Sequence, residues 1–288
     1  MGKYVERDLR PGGDEAVRPL HILPWGAHRP NGLQRALIAL TRATVLQRGN
    51  GRRLMSALIC RFGRPLDITF RGCAFRVTCE NNLIEYGLLT RPSYNGTEID
   101  FLAEALKDPG AVFVDIGCNI GLYTLPLARI AGPAGRVLAV DANPDMVAHL
   151  VFHAAASDLS NVIAVAAAVG SERGQVDLKI RGGDLAIVAV VENEAGEIPM
   201  RPLAEIAASA GLRRVDALKI DIEGFEDAAL APYLRSASEA MLPRRIVIEK
   251  AGPDRDHPGC AAEFARLGYV LQDRTRNNSL YAREPASG

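Results

Sequence analysis

A chain of 288 residues, 48% of them hydrophobic, is long enough to bury a sizeable core. No stretch reaches the roughly 18 uninterrupted apolar residues of a membrane span, and the polar start MGKYVERDLR does not read as a secretory signal. Five cysteines (Cys60, Cys73, Cys79, Cys118, Cys260) are an odd number without metal-type spacing. This predicts free thiols in a reducing, cytoplasmic compartment and no disulfide framework.

The formal charge of zero joins unlike halves. Residues 1–64 hold 12 Lys and Arg against 4 Asp and Glu, a balance of +8 that the remainder cancels. Residues 1–66 read as a basic, mostly helical extension of the domain formed by residues 67–288. In the extension Leu33, Leu37, Leu40 and Thr44 fall on one helical face, and after the break GNG so do Leu54, Leu58 and Phe62. Two such helices either cap the domain with arginines facing water or contact an anionic membrane surface or an acidic partner. Scarce aromatic interleaving argues against nucleic acid. Residues 66–80 alternate as a β-hairpin with Arg71 and Gly72 at the turn, and a helix over Glu98–Leu106 follows.

The next stretch, AVFVDIGCNIGLYT (residues 111–124), runs from a strand buried on both faces through an acid into spaced glycines and a helix over Leu122–Ile130. Gly117 and Gly121 permit a tight turn and let a ligand rest on exposed amides at the helix start. The pattern D-x-G-x-N-x-G differs from the dinucleotide G-x-G-x-x-G. Asp115 would repel a pyrophosphate but suits an ammonium or sulfonium group, or it stabilises the turn. The second strand, RVLAV, ends in Asp141, 20 residues past Gly121. An acid there accepts from ribose hydroxyls or caps the helix begun at Pro144. His149 and His153, four apart on that helix, read as surface residues. Residues 174–181 are an extra strand, and GGDLAIVAVVENEAGEI is a loop or hairpin near the crevice mouth.

Further on, VDALKIDIEGFE is a buried strand ending in Asp221 and Glu223, and RIVIE repeats the design with Glu249. Strand carboxyl ends line the ligand crevice of open α/β sheets, so three carboxylates converge on one rim. His257, in the turn DRDHPG, reads as exposed. GYVLQD and NSLYAR form a closing antiparallel pair joined by RTRN. The order of elements predicts an α/β protein with a seven-stranded, mostly parallel, doubly wound sheet.

VFVDIGCNIGLYTL, the DANP turn, AVGSERG and LKIDIEGFE together resemble the FkbM-type S-adenosylmethionine-dependent methyltransferases over a core of residues 98–283. Cys118 stands where that family commonly has alanine, and DANP replaces Glu-Pro-Asn-Pro; Asp141 keeps the carboxylate. The resemblance implies a Rossmann-like class I methyltransferase fold. S-adenosylmethionine would lie against Gly117, Cys118, Asn119, Gly121 and Asn143, with Asp141 at its ribose and Ala167 and Ala168 beside adenine. Asp115 and Tyr123 would be neighbours.

Methyl transfer to a hydroxyl needs the acceptor held roughly 3–3.5 Å from the methyl carbon and a base within hydrogen-bond reach. Asp221 is the first candidate, with Glu223 and Glu249 next. Asp221 with Glu249 also suits Mg²⁺ and a vicinal diol. DIEG is not the Asn/Asp-Pro-Pro-aromatic signature of base amino-methylation. The expected activity is therefore oxygen methylation of a small-molecule or glycan hydroxyl, on a sugar, glycan or polyketide. A nicotinamide oxidoreductase and a non-catalytic nucleoside-binding protein are the alternatives.

Overall fold

The computed structural model of the chain describes residues 23–79, 83–180, 188–192 and 196–283. Its first elements are helices α1 (Gly32–Ala43) and α2 (Gly49–Arg61), the hairpin β1 (Leu66–Phe70) and β2 (Cys73–Val77), and helices α3 (Leu83–Thr90) and α4 (Gly96–Ala103). The hairpin turns at Arg71 and Gly72, as its alternation predicts, and forms its own two-stranded sheet. Helix α1 opens with a capping box in which Asn31 and Gln34 each bond the other's backbone N–H.

The predicted leucine stripes pack only in part: on α1, Leu37 is partly buried against the core. Gln34, Ile38 and Thr41 are buried on α1, and Met55, Ser56 and Ile59 on α2, whereas Leu33, Leu40, Leu54 and Phe62 are exposed. The cause is polar. Gln34 Nε2 donates to the carbonyls of Ile59 and Gly63 at 3.0 and 2.9 Å, satisfying the end of α2 and turning the Gln34 side of α1 inward.

A second correction concerns the thiols: Cys60 on α2 and Cys79 past β2 form a disulfide across 19 residues. An odd cysteine count excludes complete pairing, not one bridge, and folding brings these two Cα atoms within 6.0 Å. The bridge removes the basis for expecting a reducing compartment. Cys73, Cys118 and Cys260 are free and buried.

The remaining elements, in chain order, are β3 (Val112–Ile116), α5 (Thr124–Ala131), β4 (Arg136–Asp141), α6 (Pro144–Ala156), β5 (Val162–Ala166), β6 (Ala168–Gly170), β7 (Gly174–Ile180), β8 (Val188–Glu192), β9 (Ile198–Pro202), α7 (Leu203–Ser209), β10 (Ala217–Ile220), α8 (Glu226–Ser236), β11 (Arg245–Glu249), α9 (Pro258–Leu267), β12 (Val270–Arg274) and β13 (Asn278–Ala282). The main sheet has the order β12-β13-β11-β10-β3-β4-β5, parallel except at the terminal pair, as the sequence predicts. A smaller sheet, β6-β9-β7-β8, holds the extra strand. Part of the expected crevice-mouth loop lies outside the described residues, as do residues 1–22 of the extension.

Inner strands are apolar on both faces because both are covered. Phe113, Val137, Ala139 and Val247 pack with the hairpin, α4 and α5, and this cluster also takes Ile38 and Ile59 from the extension. Val114, Leu138, Leu218 and Ile248 point the other way, toward α7, α8 and α9.

The hairpin lies over α6, which corrects the reading of His149 and His153 as surface residues: they are 1% and 0% exposed. His153 Nε2 accepts from the Arg76 N–H at 2.8 Å, and its Nδ1 faces the Ile120 carbonyl at 3.0 Å, an arrangement for a neutral ring protonated at Nδ1. His153 thus joins the hairpin to the turn that precedes α5. His257, read as exposed, is also buried, with Nε2 3.3 Å from Glu226 Oε2.

Candidate active site

The end of β3 meets the end of β10 at Gly117. With φ +74, a Cβ at this position would sit 1.9 Å from the Asp221 carbonyl oxygen, so only glycine lets the two turns touch. Gly121, at φ +96, likewise admits Leu150 of α6, whose Cδ1 would be 2.4 Å from an added Cβ. Its role is to set the helix against the turn, and it does not line the cavity.

A cavity of about 710 Å³ opens above these strand ends. Gly117, Cys118, Asn119, Tyr123, Asp141, Asn143, Asp221, Glu223 and Glu249 all line it, so nine of the predicted residues meet in one place. Ala167 and Ala168 line an adjoining crevice that shares Gly117, Asp141, Ala142 and Ile222 with the main cavity. Asp115 stands behind the surface, fully buried, its Oδ2 accepting from Thr124 Oγ1 at 2.6 Å. Burial pushes its carboxyl up, against the pull of Lys219.

Asp141 has its oxygens organised by backbone. Oδ2 accepts from the Asn119 N–H at 2.7 Å and Oδ1 from the Asn143 N–H at 2.8 Å. Each oxygen keeps a lone pair for a ligand hydroxyl. Burial raises this carboxyl and the two amides pull it back. The Cys118 thiol is held well above its ordinary range by burial and by the acids Asp141 and Asp115. It offers shape and backbone, not a nucleophile.

Lys219 is a site residue that strand reasoning passed over, although it stands inside LKIDIEGFE. Its ammonium is 4% exposed, donates to the Gly117 carbonyl at 2.7 Å, and lies 3.7 Å from both Asp115 Oδ1 and Asp221 Oδ2. Burial would lower it, but Asp221 and Asp115 outweigh burial and hold the charge. A polar residue in an otherwise apolar inner strand was the available signal. Glu98 was missed too: it is buried, lines the cavity, and accepts from Thr275 Oγ1 at 2.6 Å and Asn278 Nδ2 at 3.2 Å.

Asp221, Glu223 and Glu249 each bring a carboxylate oxygen within 4.8 Å of the other two. Three negative charges so close are unfavourable. Burial, then Asp221, Glu223 and Glu226, push Glu249 up to about 9. A proton held within the cluster relieves this repulsion, and burial favours Glu249 as its place.

An acid-ended second strand, a glycine turn without a pyrophosphate cradle and this seven-stranded order define an S-adenosylmethionine-dependent methyltransferase of the Rossmann-like class. A family model described as the methyltransferase FkbM domain matches residues 115–271, more than half of the chain. The chain belongs to that family. Solved structures similar to it include M. jannaschii TYW2 in complex with AdoMet (16% identity, 76% of this chain and 86% of that one, TM-score 0.44). A precorrin-6y C5,15-methyltransferase from Geobacter metallireducens (14%, 68% and 89%, 0.42) and an O-methyltransferase from Bacillus cereus in complex with SAH (12%, 65% and 81%, 0.40) are similar as well. A search of curated proteins returned no match.

Proposed function

We propose that the chain methylates a hydroxyl of a sugar, glycan or polyketide-type acceptor, with Asp221 as the base. The observation that carries this reading is the carboxylate cluster sharing one cavity with Gly117, Asn119 and Asp141. S-adenosylmethionine supplies an electrophilic methyl group when bound. Asp141 and the amides of the Gly117–Gly121 turn suit its ribose and methionine parts. Asp221, next to the charged Lys219, accepts the acceptor's proton late in the transfer. Glu249, carrying its own proton, donates a hydrogen bond and keeps a second negative charge away from the base.

Calorimetric titration with S-adenosylhomocysteine tests the cofactor half. Micromolar binding is expected for the wild type and binding weaker by about fivefold or more for Asp141→Ala, since two ribose hydrogen bonds are worth about 1–3 kcal/mol; unchanged affinity in the variant would remove the assigned role. Labelled methyl transfer into hydroxylated extract fractions tests the other half. An alkali-stable, ether-type product that Asp221→Asn fails to make is expected; label only in esters or amines would overturn oxygen methylation. The same cluster favours a second reading, a Mg²⁺ ion chelating a vicinal diol, for which the motive is three oxygens within 4.8 Å of one another. Turnover abolished by EDTA and restored by Mg²⁺ would favour it.

We further propose that the extension touches an anionic membrane surface. Residues 23–65 contain eight arginines and no Asp or Glu. Six large hydrophobics exposed among the described residues, Leu23, Leu33, Leu40, Val45, Leu54 and Phe62, lie in the same stretch. Apolar contact combined with positive charge is the combination an anionic bilayer surface rewards. No described helix is long and apolar enough to cross a membrane.

A further inference from the structure

The cavity is not lined by acids alone. Arg52 from α2, Arg91 just past α3 and Arg276 from the turn between β12 and β13 also line it. Among the described residues none of the three lies within 4.0 Å of a carboxylate, whereas Arg235, Arg244, Arg274 and Arg283 each reach one. Arg91 stacks over the Tyr94 ring with its guanidinium carbon 5.5 Å from the centroid. That ring is fixed against α3, where a Cβ on Gly87 would meet Tyr94 Cε1 at 2.2 Å. Burial pushes the Tyr94 phenol up, Arg52 and Arg91 pull it down, and Asp221 and Glu98 push it further up.

The cofactor does not account for these charges. S-adenosylmethionine carries a sulfonium and an ammonium against one carboxylate, so at most one guanidinium has a partner on it. Guanidinium groups from three separate segments, left unpaired at one cavity, match an oxyanion through paired N–H···O bonds. Building on the hydroxyl-acceptor reading, we propose that Arg52, Arg91 and Arg276 form an oxyanion subsite, and that the acceptor bears a phosphate or carboxylate group beside the hydroxyl that is methylated. The subsite sorts acceptors: a neutral sugar lacks the group that these arginines hold.

The test is calorimetric titration of the full chain, saturated with S-adenosylhomocysteine, with inorganic pyrophosphate and separately with malonate, at constant ionic strength. Millimolar or tighter binding of one of them is expected, and the tighter anion identifies the group as phosphate or carboxylate. Replacing all three arginines by glutamine should weaken that binding at least tenfold, measured with S-adenosylhomocysteine still saturating. Arg91→Lys, which keeps the charge but not the fork, should fall between. Failure of both anions to bind the wild type, or equal binding by the triple variant, would overturn the subsite. If the wild type does not bind S-adenosylhomocysteine, the methyltransferase reading fails instead, and the same anion titrations on the cofactor-free protein still decide the subsite.

Discussion

Glu249 and Asp221 lie at the ends of neighbouring strands, and the proposed reaction gives them different tasks. In the proposed reaction Glu249 donates where Asp221 accepts, with the Lys219 ammonium 3.7 Å from Asp221. This division has a sign in the stability of the protein. Glu249 folds holding a proton that the unfolded chain releases in the ordinary carboxyl range, so stability declines as pH climbs from that range through about 9. Glu249→Gln removes the decline. Between pH 5 and pH 8.5 the wild type should lose about 1 kcal/mol relative to the variant once solvent screening is allowed for, as read from urea unfolding at both pH values. Parallel slopes would place the shared proton elsewhere. At this scale the sequence exposed the acids because each ends a buried strand, where a charge has no structural reason to be. Lys219 showed there only as a polar residue in an apolar strand, because its contact is with the Gly117 carbonyl 102 positions away in the chain.

The hairpin is the element that ties the extension to the domain. Asp67 and Arg76 face each other across its two strands, both fully buried, with Arg76 Nε 2.7 Å from Asp67 Oδ1. Arg76 also donates to the carbonyls of Leu23 and Pro24, and Asp67 accepts from the Gly26 and His28 amides. Burial would raise Asp67, but Arg76 and the two amides outweigh it and hold its carboxyl low. Arg76→Ala strands a buried carboxylate and should cost about 3–5 kcal/mol, whereas the joint replacement Asp67→Asn with Arg76→Leu should cost less. Urea midpoints of the two proteins check this, and equal losses would deny the pair its role. Strand positions were legible because unbroken apolar runs have few other uses. The face of α1 was not, since periodicity locates a stripe without saying what lies opposite, and here Gln34 found two carbonyls before the leucines found a core. The burial of His149 and His153 was hidden for a similar reason: the hairpin that covers them lies some 77 residues earlier in the chain.

Over the whole molecule, charge and apolar exposure collect at one end of the chain. Val45 is 81% exposed and Leu54 68%, and withdrawing each from water is worth about 1 kcal/mol. Sedimentation with vesicles checks the membrane proposal. Binding to phosphatidylglycerol-containing vesicles, little to pure phosphatidylcholine, and a loss of at least tenfold on changing Val45 and Leu54 together to Asp are expected. Equal sedimentation of variant and wild type would return the extension to a cap facing water. Arg52 belongs to the same helix as Leu54 and lines the cavity, so a surface seated on α2 would lie beside that cavity.

The contact between Gly117 and the Asp221 carbonyl has a consequence for enzymology. The loop proposed to hold the methyl donor and the loop that carries the proposed base share one van der Waals boundary, with no side chain at 117 to cushion it. A substitution at 117 moves both loops, so Michaelis constant and turnover number cannot be varied independently there. Kinetic dissection of this enzyme has to begin at Asp141 or Asp221, on either side of that seam.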